Sequence, residues 1–173
     1  MASTPSRPPC AKMCIRDRYS GVVLAVEDME ASKAFYTQCL GQTVVMDFGW
    51  NVAFADGLAL QSHFDEIMSV PKESMVKKSH SFELYFEVDD FEGMMAKLSS
   101  MGEAIRYLHP PKQYPWLQWV VRVYDPDENL VEISESMTVV IEKCLRSGMS
   151  VDETVKATQH PKSMVEEVAK GLL

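Results

Sequence analysis

The stretch Val22-Val-Leu-Ala-Val-Glu-Asp-Met-Glu30 decides the fold, because its pattern returns as Leu84-Tyr-Phe-Glu-Val-Asp-Asp-Phe-Glu92. Adding 62 to Val22, Leu24, Val26, Asp28, Met29 and Glu30 lands on Leu84, Phe86, Val88, Asp90, Phe91 and Glu92, each of matching character. A fixed offset of this kind marks an internal repeat. In the second copy apolar Leu84, Phe86 and Val88 alternate with Glu83, Tyr85 and Glu87, as in a strand with one face buried. The carboxylate that follows, Asp28 or Asp90, stands where an N-cap would open a helix. Val22, Leu24 and Val26, with Leu84, Phe86 and Val88, are therefore expected to face the helices. Gly21, Val23 and Ala25, with Glu83, Tyr85 and Glu87, are expected on the concave side.

Outward from the first copy, Met29, Ala31, Ala34, Phe35 and Leu40 mark an amphipathic helix that Gly41 ends. Strands are expected at 43–47, 51–54 and 58–61, the last two joined through Asp56-Gly57. The second copy repeats the order, with a helix carrying Phe91, Met94, Met95, Leu98 and Met101 before Gly102, and strands at 104–108, 118–124 and 130–134. The pattern predicts an α+β fold of two tandem βαβββ modules, 19–62 and 82–136, forming a curved mixed sheet around a cavity. The linker 63–81, with Phe64, Ile67, Met68, Val70 and Met75 around Pro71, is either a plain covering segment or a lid. Residues 137–173 read as a helical extension of helix-turn-helix-like spacing, with a capping box at Ser150-Val-Asp-Glu153 and Pro161 in a first turn. Its apolar residues, among them Val140, Ile141 and Val165, are expected to dock on the domain or across a homodimer interface.

The chain of 173 residues is 46% hydrophobic and 24% charged, which suits a packed globular domain rather than disorder. Its formal charge of −8 disfavours nucleic acid and anionic membranes as partners. The extension sets Lys143, Arg146, Lys156, Lys162 and Lys170 against Glu142, Asp152, Glu153, Glu166 and Glu167, so it lacks the basic face that phosphate binding demands. No apolar run is long enough to span a bilayer, and a cytoplasmic location is expected. Cys10 and Cys14 have no second pair placed to close a zinc site with them. Residues 1–18, rich in Pro, Ser and Arg, are expected to be a disordered tail; Met13–Arg18 resembles adapter-derived sequence, which would put the domain's start near Tyr19.

Val26-Glu-Asp-Met-Glu-Ala-Ser-Lys-Ala-Phe-Tyr36 after the first strand, and Asp125-Pro-Asp-Glu-Asn-Leu-Val-Glu132 into the last, resemble the glyoxalase/bleomycin-resistance/dioxygenase (vicinal oxygen chelate) superfamily. The resemblance covers Tyr19 to about Ser136. It implies a small-molecule ligand, and its members range from metal-dependent lyases, isomerases and dioxygenases to metal-free drug-sequestering proteins. In metal-binding members the ligands come from the first and last strands of each module, which here are Gly21, Gln61, Glu83 and Glu132. Gly21 has no side chain to offer. What remains, Gln61, Glu83 and Glu132, is an all-oxygen set that would hold a divalent ion such as Mg²⁺ or Mn²⁺ weakly, with no cofactor as the alternative.

Without a metal, Glu83 and Glu132 read either as a catalytic acid/base pair or as polar walls binding a polar or cationic ligand. Gln61, Tyr85, Trp50, Trp116 and Arg122 are the further ligand-binding candidates, since small-molecule cavities combine aromatic walls with a few placed polar groups. Two faces of strand 118–124 remain open for Arg122. None of His63, His80, His109 and His160 falls at a family ligand position. Three functions follow: a small-molecule binder, metal-free or not; a metal-dependent lyase, isomerase or dioxygenase; or a ligand-sensing regulator using the C-terminal helices.

Overall fold

The computed structural model describes residues 19–172; the expected tail lies outside the described residues. Strands β1 (Val22–Ala25), β2 (Val44–Asp47), β3 (Asn51–Phe54) and β4 (Leu58–Gln61) form one four-stranded sheet in the order β1-β4-β3-β2. Strands β5 (Leu84–Val88), β6 (Arg106–Gln113), β7 (Trp119–Tyr124) and β8 (Leu130–Glu135) form a second in the order β5-β8-β7-β6. In each, first and last strands pair parallel and the rest antiparallel, so the repeat in sequence is a repeat of topology. The two sheets are not joined by strand pairing.

Helix α1 (Met29–Ala34) follows β1 and continues as a wider π-turn over Phe35–Cys39; α3 (Phe91–Ser100) follows β5. Asp28 and Asp90 cap them, their carboxylates accepting from Ala31 N at 3.0 Å and Gly93 N at 2.8 Å. The strand parity holds. Leu24, Val26 and Leu84 enter a core shared with Phe35, Tyr36, Phe91, Leu98, Val121, Val123, Val131 and Ile133, while Val23 and Tyr85 lie half-exposed on the open faces.

Strand β6 departs from expectation, running from Arg106 to Gln113 through Pro110 and Pro111 rather than over 104–108. It is an edge strand with register shifts on both sides of His109, and there a missing proline N–H breaks few ladder bonds. The linker carries a short helix α2 (Phe64–Met68) and runs beside the Asp125–Asn129 loop, where Lys78 N donates to Glu128 O at 3.2 Å. Lys77 pairs with Glu27 at 3.0 Å. A half-open pocket of about 220 Å³ lies there, and the linker's end, at His80 and Ser81, reaches the hollow on the open face of the second sheet.

Helices α4 (Met137–Arg146), α5 (Val151–Thr158) and α6 (Lys162–Gly171) pack on one another, burying Val140, Ile141 and Val165. The start of α4 is tied to the second sheet by Ser136 N donating to Val88 O at 2.8 Å and by a Lys143–Glu135 ion pair.

The two signature stretches meet in space. Tyr36 Oη donates to Asp125 Oδ2 at 2.7 Å, Ser32 Oγ to Asp127 Oδ2 at 2.8 Å, and Glu27 N to Asp127 Oδ1 at 2.8 Å. Tyr36 and Asp125 are fully buried. Burial pushes the Tyr36 phenol well above its ordinary range, with the neighbouring Asp125 charge adding to the rise. Tyr36→Phe removes the donor and leaves a buried carboxylate oxygen short of a partner, so the variant is expected to lose about 1–3 kcal/mol in urea denaturation. An unchanged unfolding midpoint would show that this contact does not hold the modules together.

Candidate functional site

The register of the second sheet assembles a polar cluster. Tyr85 and Arg122 flank Glu132 from β5 and β7, and His109 of β6 lies opposite Arg122. Because side chains alternate across a sheet, these residues share the open face, whereas Val121 and Val123 turn into the core. That settles the orientation left open for Arg122.

Its guanidinium is the hub. Nε donates to Glu83 Oε2 at 2.7 Å and Nη2 to Glu83 Oε1 at 3.2 Å, a two-pronged grip. Nη2 also pairs with Glu132 Oε2, and Nη1 donates to Tyr114 Oη at 2.7 Å. Ser134 Oγ donates to the other Glu132 oxygen at 2.8 Å. His109 Nδ1 lies 2.7 Å from the Pro110 carbonyl, which can only accept, so Nδ1 carries a proton and Nε2 faces Arg122 Nη1 at 3.5 Å.

The two carboxylates shift in opposite directions. The hydrogen bond from Arg122 holds Glu83 below the usual carboxylate range, while desolvation pushes the more buried Glu132 up against the opposing pull of Ser134 and Arg122. Arg122 is raised, first by its hydrogen bond to Glu83. Tyr85 is pushed up to about 12 by desolvation and its bond to Glu87. An open hollow of about 550 Å³ lies over the cluster, with Phe82, Leu108 and Leu130 as its apolar wall.

The structure thus joins Glu83, Glu132 and Arg122 directly. Tyr85 sits beside Glu132 in the register without bonding the three; its hydroxyl accepts from Gln118 Nε2 at 3.3 Å, and Gln118 in turn accepts from Trp116 Nε1 at 2.8 Å. Gln61 and Trp50 lie elsewhere, on the first sheet. The Gln61 amide nitrogen donates to Trp50 O at 2.9 Å and Ser62 O at 2.8 Å, its oxygen accepts from Asn51 at 2.9 Å, and the Trp50 ring stays exposed. Tyr114, Ser134 and His109 were not among the expected site residues. The aromatic turn Tyr114-Pro-Trp116 signalled the first, but the other two depend on register.

These residues do not form the family's metal cage. Gly21 has φ +145°, and a Cβ there would lie 1.7 Å from Gly57 O, so no side-chain ligand fits. The Gln61 amide is committed, and Arg122 bonds both glutamates. No group of three His, Cys, Asp or Glu side chains is close enough to hold a metal ion among the described residues.

The sequence model of the glyoxalase-like domain matches residues 19–138. A solved structure of a protein of unknown function from Agrobacterium tumefaciens str. C58 is 29% identical, with TM-score 0.60, over 69% of this chain and 94% of that one. A glyoxalase/bleomycin resistance protein/dioxygenase family enzyme from Burkholderia phytofirmans PsJN is 19% identical, with TM-score 0.57, over 67% and 96%. Lactoylglutathione lyase from Agrobacterium tumefaciens is 22% identical, with TM-score 0.52, over 69% and 94%. No curated protein matches the chain. The last two likenesses carry fold alone.

Replacing the hub cation tests the electrostatics. Arg122→Gln leaves Glu132 buried without a counter-charge; removing one partner of a fully buried pair costs about 3–5 kcal/mol, and partial exposure here reduces this to about 1–3 kcal/mol. The folded-state pKa of Glu132, already raised, would rise further, so stability is lost as pH climbs from its unfolded value through the folded one. Glu83, held low chiefly by its hydrogen bond from Arg122, loses most of a contribution present above its unfolded value. Both signs agree. The loss in urea denaturation is expected to be larger at about pH 8 than at about pH 4.5, and equal losses would show that the guanidinium does not neutralise these carboxylates.

Proposed function

Because the chain belongs to the glyoxalase-like domain family, we propose that it binds a small organic molecule on the open face of its second sheet, without a metal ion. The observation that carries this reading is Arg122, bonded to both Glu83 and Glu132 where metal-binding relatives would place ligands. The guanidinium supplies the positive charge that a divalent ion would otherwise bring, and the hollow above it combines an apolar wall with a few fixed polar groups.

A second reading as an acid–base enzyme, a lyase or isomerase, draws support from the split between the carboxylates. A raised Glu132 beside a lowered Glu83 resembles an acid and a base set apart by environment. A turnover screen against α-keto and thiol-adduct substrates decides between binder and enzyme. Among the described residues no helix is long and apolar enough to cross a membrane.

Calorimetric titration with Mn²⁺, Ni²⁺ and Zn²⁺ is expected to show no stoichiometric binding at micromolar concentration. Native mass spectrometry of the purified protein is expected to reveal a retained organic molecule or none, but no metal adduct. Stoichiometric micromolar binding of any of the three ions, abolished by Glu132→Gln, would falsify the metal-free reading.

A further inference from the structure

We propose that the hollow over Arg122 selects neutral carbonyl compounds with an apolar body, the carbonyl oxygen accepting from Tyr114 Oη–H, a hydroxyl that itself accepts from Arg122. This inference rests on the second sheet's open face being the binding site. A guanidinium has five N–H donors. Four are placed: Nε and Nη2 supply three to Glu83 and Glu132, and Nη1 supplies one to Tyr114. The fifth, the other Nη1–H, is turned toward His109 Nε2 at 3.5 Å, so the donor left for a ligand is the hydroxyl that the guanidinium bonds.

The Tyr114 hydroxyl accepts from Arg122, and no bond donated by it is formed among the described residues. The Tyr114 O–H therefore remains available to an acceptor in the hollow that Tyr114 lines, on a hydroxyl already polarised by the guanidinium.

Charge fixes which acceptor suits it. Of the acidic and basic side chains, Glu83 and Arg122 line the hollow and pair with each other, so a carboxylate or ammonium ligand would find no uncompensated counter-charge there. A neutral carbonyl, an amide or ketone, accepts from the Tyr114 hydroxyl and brings no charge that needs one. Phe82, Leu108 and Leu130 then cover its apolar body.

Benzamide, benzoate and benzylamine share one ring and differ in the group presented, so they serve as probes. In NMR and fluorescence titrations of the full chain, benzamide is expected to bind most tightly, with shifts concentrated at residues 80–83, in β6 and around Tyr114 and Arg122, and quenching of Trp116, which stacks on Tyr114 at 4.8 Å. Tyr114→Phe, which keeps the ring, is expected to weaken benzamide about ten-fold and to leave benzylamine unchanged. Tightest binding by benzoate or benzylamine overturns the proposal, as does undiminished benzamide binding by Tyr114→Phe; in those cases the binding face itself survives. If none of the probes perturbs that face at tens of millimolar, the binding face and the carbonyl assignment fall together.

Discussion

Two aspartates hold this molecule together. Asp125 and Asp127, in the loop before β8, are buried acceptors for donors on the first module, Tyr36, Ser32 and the Glu27 amide. Asn129 completes Asp125 from its own loop, through its amide at 2.7 Å and its side chain at 2.9 Å. Burial raises Asp125 even so, which shows how far this carboxyl has been taken out of water. A buried polar group is tolerable only when its partners are in place. The position of α1 against the second module is thereby set, and with it the loop that delivers β8 and Glu132.

The repeat is symmetric in topology and asymmetric in chemistry. The open face of the first sheet presents small side chains, Ala25, Ala53 and Ala59, beside exposed Val23 and Trp50. Its counterpart presents Glu83, Tyr85, Arg122 and Glu132, each hydrogen-bonded to a neighbour. One module thus carries the polar site, while the other contributes half of the shared core and the donors of the aspartate clamp.

The repeat was legible because a period-two pattern followed by an acidic cap recurs at a fixed offset, and each of those residues acts through its own backbone neighbourhood. Asp28 and Asp90 cap helices, and Leu24 and Leu84 enter the core, as their local pattern requires. The length of β6 was hidden because Pro110 and Pro111 normally argue against a strand, and only the edge position in the finished sheet admits them. Glu83 and Glu132 could be named from the strand positions that the family resemblance implies, but their partner could not, since Arg122 reaches them through a register set by β7 and β8. Gln61 shows the converse failure: its position in the repeat was suggestive, yet Trp50, Asn51 and Ser62 use its amide.

Gly21 illustrates how a backbone can foreclose a chemistry. Gly57 O occupies the space a Cβ at position 21 would need and accepts a hydrogen bond from Val22 N at 2.9 Å, so the close approach belongs to the joint between β1 and the β3–β4 turn. Restoring a ligand there is therefore no matter of exchanging one side chain. The turn at Asp56-Gly57 would have to be rebuilt and β1 re-anchored in the same step, so the two segments can change at this point only together.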